Sequence, residues 1–161
     1  MTPEIIQAES PQSIEFARAL FIEYADWLKV DLCFQGFAQE LATLPGAYAP
    51  PMGRLLLAGD NDSAFGCVGL RPLERDSSET PIVGEVKRLY VQPACRHGGW
   101  GRRLVEALIA QAMAIGYREL KLDTLDWMTE ARNLYARYGF RQCAQYYANP
   151  LSGVVYMSRL L

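Results

Sequence analysis

Histidine and paired cysteines are almost missing from this chain. His97 is the single histidine, and the four cysteines, Cys33, Cys67, Cys95 and Cys143, form no C-x-x-C pair. A zinc site would need scattered ligands, so we expect no metal. A nucleophilic Cys95 would find no histidine elsewhere in the chain to act as its base. Four free thiols in a reducing compartment, the cytoplasm, are the expectation.

Long apolar runs and excess positive charge are also absent. No apolar run approaches the roughly 20 residues that span a bilayer, and the start, MTPEIIQAES, lacks the basic and apolar regions of a secretory signal. We therefore expect no membrane partner. The formal net charge of -2 argues against a nucleic-acid partner. The 161 residues, 50% hydrophobic and 21% charged, predict one globular domain over residues 1–161.

One stretch, GEVKRLYVQPACRHGGWGRRL over residues 84–104, carries the strongest functional pattern. Its first part is rich in β-formers and predicts a strand that ends before Pro93. A glycine-dense basic segment follows and runs into an amphipathic helix. The unpaired N–H groups of a helix start, together with Arg96, Arg102 and Arg103, make an anion site. The alternative is a basic loop that only joins two elements.

Two common phosphate motifs do not fit this loop. No Gly-Lys-Ser or Gly-Lys-Thr is present, and G-x-G-x-x-G lacks its third glycine because Leu104 stands there. The remaining pattern, R-x-x-G-x-G at Arg96, Gly99 and Gly101, resembles the acetyl-CoA pyrophosphate loop of the GNAT superfamily of N-acetyltransferases. The resemblance implies a site for acetyl-CoA formed by Leu89, Tyr90, Val91, Arg96, His97, Gly98, Gly99, Trp100, Gly101 and Arg102.

A second block, ARNLYARYGF over residues 131–140, resembles the A-x-x-L-Y-x-x-x-G-F segment of the same superfamily. The resemblance places Tyr135 near the CoA sulfur as a general acid, with backbone N–H groups near residues 89–91 stabilising the oxyanion. The alternative for Tyr135 is a tyrosine of the core. The family pattern is not met at Met128, where many members have an asparagine.

Glu85 is the candidate for the base that accepts the proton of the attacking amine. Strand periodicity predicts that residues 85, 87, 89 and 91 share one face, and some GNAT enzymes use a glutamate near this end of the strand. The alternative is an ion pair of Glu85 with Lys87, Arg88 or a neighbouring strand. Asp26 and Asp31 are weaker candidates.

The periodicity of the chain predicts eleven elements in the order βααβββαβαββ. The predicted helices cover residues 11–28, 34–44, 101–115 and 129–138. The predicted strands cover residues 2–9, 54–58, 64–73, 82–91, 119–124, 140–147 and 154–160, with a polar turn at 74–81. The fold class is α/β (α+β): a GNAT-like mixed sheet of about seven strands, flanked on both faces by about four helices. The two helical crossovers can form parallel strand pairs, whereas short hairpin connections cannot.

The implied activity is acetyl transfer from acetyl-CoA to a primary amine, of a small molecule or of a peptide or protein. A non-catalytic acyl-CoA-binding protein is the alternative, and a purely structural module ranks last. In this fold the acceptor contacts two loops, and acidic and aromatic side chains there suit a cationic amine; a solvated acidic face is the alternative. A homodimer through the last strands is compatible with the fold. The loop residues are Glu23, Tyr24, Asp26, Trp27, Asp31, Tyr146, Tyr147, Asn149 and Pro150.

Overall fold

The computed structural model describes residues 2–73 and 83–161. Its strands are β1 (Glu4–Gln7), β2 (Arg54–Gly59), β3 (Ala64–Pro72), β4 (Val83–Val91), β5 (Glu119–Leu125), β6 (Arg141–Gln142) and β7 (Val154–Leu160). Its α-helices are α1 (Pro11–Leu28), α2 (Phe37–Thr43), α3 (Trp100–Ile115) and α4 (Thr129–Arg137). The seven strands form one mixed sheet in the order β1-β2-β3-β4-β5-β7-β6, as expected. The predicted turn at 74–81, and Ile82, lie outside the described residues.

Helix α1 begins where its capping residues predict. The Oγ of Ser10 accepts a hydrogen bond from the N–H of Ser13 at 3.1 Å, and Pro11 occupies the first turn. The inner face of the helix is buried, and the chain leaves the helix at Lys29, whose φ is 56°. The buried residues include Ile14, Ala17, Leu20, Phe21 and Leu28, whereas Tyr24 is half-buried.

Two predicted elements are shorter in the structure. The predicted helix at 34–44 begins with a 3-10 turn at Cys33–Gln35 and becomes α-helical only after Gly36, whose φ of +68° interrupts it. The predicted strand at 140–147 is wrong beyond Gln142. There the chain leaves the sheet, because Tyr146 and Tyr147 both turn their hydroxyls onto buried carboxylates and cannot alternate as strand residues do.

Only one helical crossover produces a parallel pair of neighbours. Helix α3 connects β4 to β5, which pair in parallel. The strand after α4 does not lie beside β5, because β7 inserts between β5 and β6 and pairs antiparallel with both. The second crossover therefore forms no pair of neighbouring strands, because the last hairpin places β7 between β5 and β6.

Strand β4 contains a β-bulge at its centre. Lys87 pairs with Gly69 and Tyr90 pairs with Cys67, so two residues of β4, 88 and 89, lie opposite one residue of β3. Arg88 has a φ of 61°, which is uncommon for a residue other than glycine. The bulge reverses the alternation, so the predicted common face of residues 85, 87, 89 and 91 is wrong. The first two face one layer and the last two face the other.

The sheet separates two hydrophobic layers. One layer contains side chains of α1 and α2 with Cys67 and Tyr90, and the other contains the buried face of α3 with Val86, Val91 and Tyr135. Helices thus cover both faces, as expected. The parallel pairing of β4 with β5 extends only from Val83–Glu119 to Glu85–Lys121. Beyond these pairs the two strands diverge and open a gap at their carboxyl ends.

Candidate active site

A groove of about 470 Å³ opens at the diverging ends of β4 and β5. One wall is the end of β4 with the start of α3, and the other is the start of α4. Seven of the ten predicted cofactor residues line it: Leu89, Tyr90, Val91, Arg96, Gly99, Gly101 and Arg102. His97 and Gly98 lie exposed outside its lining. Trp100, at the start of α3, packs edge-on against the ring of Phe65. The guanidinium of Arg103 lies 4.0 Å from the Trp100 ring centroid.

Glycine is required at the start of α3. Gly99 precedes the helix with a φ of +76°, a conformation that other residues adopt with strain. A Cβ on Gly101 would stand 3.5 Å from Leu134 of α4, which lines the opposite wall of the groove. The requirement for glycine therefore lies in the backbone conformation of Gly99, because a Cβ on Gly101 would make an ordinary contact. Backbone N–H groups at such a turn bind anions.

Aromatic side chains cross the open side of the groove. Trp27 of α1 and Trp127 of the β5–α4 turn have ring centroids 5.4 Å apart. The guanidinium of Arg96 lies 4.6 Å from the Trp27 ring and 5.5 Å from the Tyr90 ring, and its Nε donates to the carbonyl of Val91 at 2.8 Å. Arg96 therefore lies along the groove wall, held by two rings and one carbonyl.

A smaller chamber of about 40 Å³ lies between the diverging strands, with room for about three water molecules. Tyr135 lines it and is 7% exposed. Burial raises the pKa of the Tyr135 hydroxyl above its usual value of 10, so the hydroxyl carries its proton at neutral pH. Leu89 and Met128 line both the groove and the chamber. The two spaces therefore share a wall beside the bulge of β4.

Glu85 is buried and its carboxylate is engaged on both oxygens. Oε1 accepts from Nε and Nη2 of Arg71, each at 2.9 Å, and Oε2 accepts from the Tyr146 hydroxyl at 2.6 Å. Burial and the neighbouring Glu85 charge raise the pKa of Tyr146. The structure thus contains the alternative for Glu85, an ion pair with a neighbouring strand, here with Arg71 of β3.

Lys87 lies beside Glu85 on the same face and lines the chamber. Its side chain is 4% exposed. Nζ donates to Gln35 Oε1 at 3.2 Å and to Asp123 Oδ1 at 3.4 Å. Asp123 receives its shorter bond from the Tyr147 hydroxyl, at 2.7 Å on Oδ2. The chamber floor is thus the buried amine of Lys87 beside the carboxylate of Asp123, and the closest hydrogen-bond donor to that carboxylate is the Tyr147 hydroxyl.

The predicted acceptor loops reach different parts of this region. Tyr147 and Asn149 join the chamber floor through the Asp123 carboxylate. Glu23 accepts from the Tyr90 hydroxyl at 3.1 Å and from Gln92 Nε2 at 2.8 Å. Asp31 accepts from the backbone N–H of Cys33, is exposed and lines neither cavity, although its neighbours Val30 and Leu32 line the chamber.

Asp123 and Trp127 were missed by sequence reasoning. An aspartate inside the alternating strand ELKLDTL is a usable signal, because aspartate is depleted from strands. Nothing local marks Trp127, since its role depends on Trp27, which is distant in sequence. Among residues 2–73 and 83–161, no cluster of three or more metal-binding side chains occurs. In the same ranges no helix has the length and apolar character that crossing a bilayer requires.

Comparison with known proteins identifies the family. Residues 11–140 match the model of the acetyltransferase (GNAT) family. The chain belongs to this GNAT family. An uncharacterized N-acetyltransferase of Schizosaccharomyces pombe is 38% identical over 148 residues, 91% of this chain and 88% of the relative. Another, of Dictyostelium discoideum, is 30% identical over 94% of this chain and 96% of the relative.

The GNAT fold is also found by structural comparison. The crystal structure of a GNAT acetyltransferase from Staphylococcus aureus superposes with a TM-score of 0.77 over 99% of both chains, at 19% sequence identity. This GNAT protein is therefore an acyltransferase by family, and members of the family generally use acetyl-CoA as the acyl donor. The identity of its acceptor is a separate question.

Proposed function

We propose that the protein transfers the acetyl group of acetyl-CoA to a primary amine by direct attack of the amine on the thioester. One observation carries the proposal: the glycine-lined groove at the start of α3 and the Tyr135 chamber share Leu89 and Met128 as lining residues. A donor held along the groove would bring its thioester to these shared residues. An amine in the chamber would then reach the thioester carbon.

The residues of the groove suit an acyl-CoA. The first turn of α3 offers backbone N–H groups and Arg102 to a pyrophosphate. Farther along, Leu89, Ala131 and Leu134 give the apolar walls that a pantetheine arm needs. The groove volume of about 470 Å³ is within the range of small-molecule sites. When bound, acetyl-CoA supplies the activated acyl group.

The chain's own groups supply orientation and proton transfer. The bulge at Arg88 turns the β4 backbone out of its regular ladder, and we propose that N–H groups of residues 89–91 stabilise the developing oxyanion. Tyr135 carries its proton at neutral pH and would donate it to the leaving sulfur. Because a thiol has a pKa near 8.5, this donation is uphill, so Tyr135 must recover a proton from the reacting nitrogen as it donates its own.

Several finer features stay predictions. We expect the acceptor to be the amine of a small molecule or of a peptide or protein, and the compartment to be the cytoplasm. We also expect a single catalytic domain over residues 1–161, and a homodimer is compatible with the fold. Glu85 as base is also still a prediction, and both of its carboxylate oxygens are already engaged, by Arg71 and by the Tyr146 hydroxyl.

Acetyl-CoA binding and amine-dependent thiol release together test the proposed function. At about 100 times its dissociation constant, acetyl-CoA should stabilise the fold by roughly 2.7 kcal/mol, which raises the melting temperature by about 5–10 °C. Arg102 and Arg103 form a matched pair, because both are exposed but only Arg102 lines the groove. We expect Arg102→Gln to weaken acetyl-CoA binding about tenfold, through the lost charge-assisted bond, and Arg103→Gln to weaken it less.

The outcomes separate the two functions. Acetyl-CoA binding together with thiol release that depends on an added amine supports the enzyme. Binding without release from a broad amine panel supports the acyl-CoA-binding alternative. No melting shift at millimolar acetyl-CoA, with ATP and NAD as controls, would reject both.

A further inference from the structure

We propose that Lys87, and not Glu85, accepts the proton of the attacking amine. The inference rests on the proposed acetyl transfer and identifies a residue of that same site. Lys87 and Tyr135 line one chamber together, whereas both Glu85 oxygens are occupied by Arg71 and Tyr146.

The contacts of Lys87 fit a neutral amine. Nζ has two acceptors, Gln35 Oε1 and Asp123 Oδ1. A neutral amine has two N–H donors, which these contacts use, and one lone pair that remains to accept a proton from the chamber. The contact with the Asp123 carboxylate, at 3.4 Å, exceeds the 2.7–2.9 Å that is usual for a charged donor on a carboxylate. By contrast, Arg88 makes two bonds of 2.9 and 3.0 Å to Glu40.

The surroundings of Lys87 weaken its hold on a proton. Burial is the largest cause and lowers the pKa of Lys87 from its usual value. The carboxylates of Asp123 and Glu85 raise this pKa, the guanidinium groups of Arg88 and Arg71 lower it by less, and burial decides the net direction. The titratable and charged groups around Lys87 come from every element packed on it: Arg71 of β3, Glu85 and Arg88 of β4, Asp123 of β5, Tyr147 of the β6–β7 loop, Tyr24 of α1 and Tyr135 of α4.

These residues account for every proton that moves in the proposed acetyl transfer. The acceptor enters as an ammonium and loses one proton to Lys87, directly or through one chamber water. The neutral nitrogen then forms a bond to the thioester carbon, and the carbon–sulfur bond breaks. Tyr135 donates its proton to the leaving sulfur and regains one from the new amide nitrogen. Lys87 returns its proton to solvent, so the net products are the amide, the thiol and one proton.

The ionisation of Lys87 can be measured without knowing the acceptor. The lysines of the chain are Lys29, Lys87 and Lys121, so a sample labelled with lysine ¹³Cε gives a simple spectrum. The resonance that is missing from the spectrum of Lys87→Arg is that of Lys87. We expect the Lys87 resonance to titrate well below 10.4, the value of a free lysine side chain. A midpoint at or above that value would overturn the proposal.

Turnover provides the second measurement, with whichever amine of a panel supports thiol release. Lys87→Arg keeps the positive charge but cannot release its proton, and we expect it to reduce kcat/KM at neutral pH by about 100-fold or more. The rise of kcat/KM with pH through the Lys87 ionisation should disappear. Lys29→Arg, a change at an exposed lysine outside both cavities, should leave turnover unchanged.

A purely structural role would give a different pattern. If Lys87 only held the chamber together, Lys87→Arg would restore most of the activity lost in Lys87→Met, and that result would reject the base role. Acetyl-CoA binding to both variants, measured by melting shift, shows that they are folded and that the groove is intact. If the wild-type protein binds acetyl-CoA but releases no thiol with any amine, the proposed function fails and the base role with it. An active wild type with unchanged Lys87→Arg rejects the base role alone.

Discussion

At the scale of single residues, the site depends on which partner each buried polar group has. Glu85, Lys87 and Asp123 lie close together on the same side of the sheet, yet their partners differ. Glu85 pairs with Arg71 at 2.9 Å, whereas Lys87 contacts an amide at 3.2 Å and a carboxylate at 3.4 Å, and Asp123 has its shortest bond from a tyrosine hydroxyl. Because a protonation change costs most where a charge pair is close, we expect these partners to decide which group exchanges a proton.

Tyr135 and Tyr138 allow a controlled test on one segment. We expect Tyr135→Phe to lower kcat about 100-fold, because the leaving sulfur loses its proton donor, with acetyl-CoA binding retained. Tyr138, whose hydroxyl contacts Glu106 outside both cavities, should tolerate the same change without loss of turnover. Steady-state thiol release with both variants is the measurement, and an unchanged kcat for Tyr135→Phe would remove the hydroxyl from the chemistry.

Residue types and short motifs predict part of the site. The R-x-x-G-x-G pattern leads to Gly99, Gly101 and Arg96 because these residues are close in sequence and act through one loop. The partners of Lys87 could not be predicted in the same way, since Gln35 and Asp123 lie on distant elements. Long-range packing decides them.

At the scale of elements, the start of α3 combines backbone conformation with access. Gly99 stands before the helix with a φ of +76° and Gly36 before α2 with a φ of +68°. A Cβ on Gly36 would meet no atom within 4 Å. The two glycines therefore share a conformational requirement, but only Gly99 lies in the groove.

This pair separates strain from binding. Gly99→Ala and Gly36→Ala should each lower the free energy of unfolding by about 1 kcal/mol, because alanine is strained at positive φ. Only Gly99→Ala should also weaken acetyl-CoA binding. Urea denaturation and a binding titration measure the two effects. Equal affinity in the two variants would contradict the placement of the donor at this turn.

Most elements follow from the local pattern, and the exceptions have physical causes. The capping residues of α1 and the hairpin of β2 and β3 are local and were predicted. The bulge in β4 was not, because strand periodicity assumes one residue of each strand opposite one of the next, and no glycine marks Arg88. The early end of β6 depends on the buried carboxylates that attract Tyr146 and Tyr147.

At the scale of the whole molecule, buried tyrosines link folding to pH. Burial raises the pKa of Tyr24 to about 12 and raises the pKa of Tyr48 and Tyr135 as well. In the unfolded chain these hydroxyls ionise near 10. The folded state therefore holds its tyrosine protons more tightly than the unfolded state, so this contribution to stability is full below pH 10 and is lost as pH rises toward 12 and beyond.

Alkaline unfolding should show this linkage. We expect the free energy of unfolding to fall steeply above pH 10, with tyrosine ionisation at 295 nm and loss of secondary structure occurring in one cooperative step. The same protein in concentrated urea should show ionisation near pH 10 without a step. Gradual ionisation of the folded protein at pH 10, with its secondary structure unchanged, would contradict the burial of these hydroxyls.

The bulge of β4 corresponds to one additional residue in the strand, and therefore to one codon. Arg88 is in effect a one-codon insertion: without it, Leu89 would pair with Val68, while Tyr90 and Val91 would keep their partners Cys67 and Gly66 and their faces of the sheet. A chain lacking this codon would retain a regular strand and both hydrophobic layers, and would lose the displaced backbone beside the chamber. Its main cost is the unpaired Glu40. The difference between a regular β4 and the displaced backbone that the proposed transfer uses is thus a single codon.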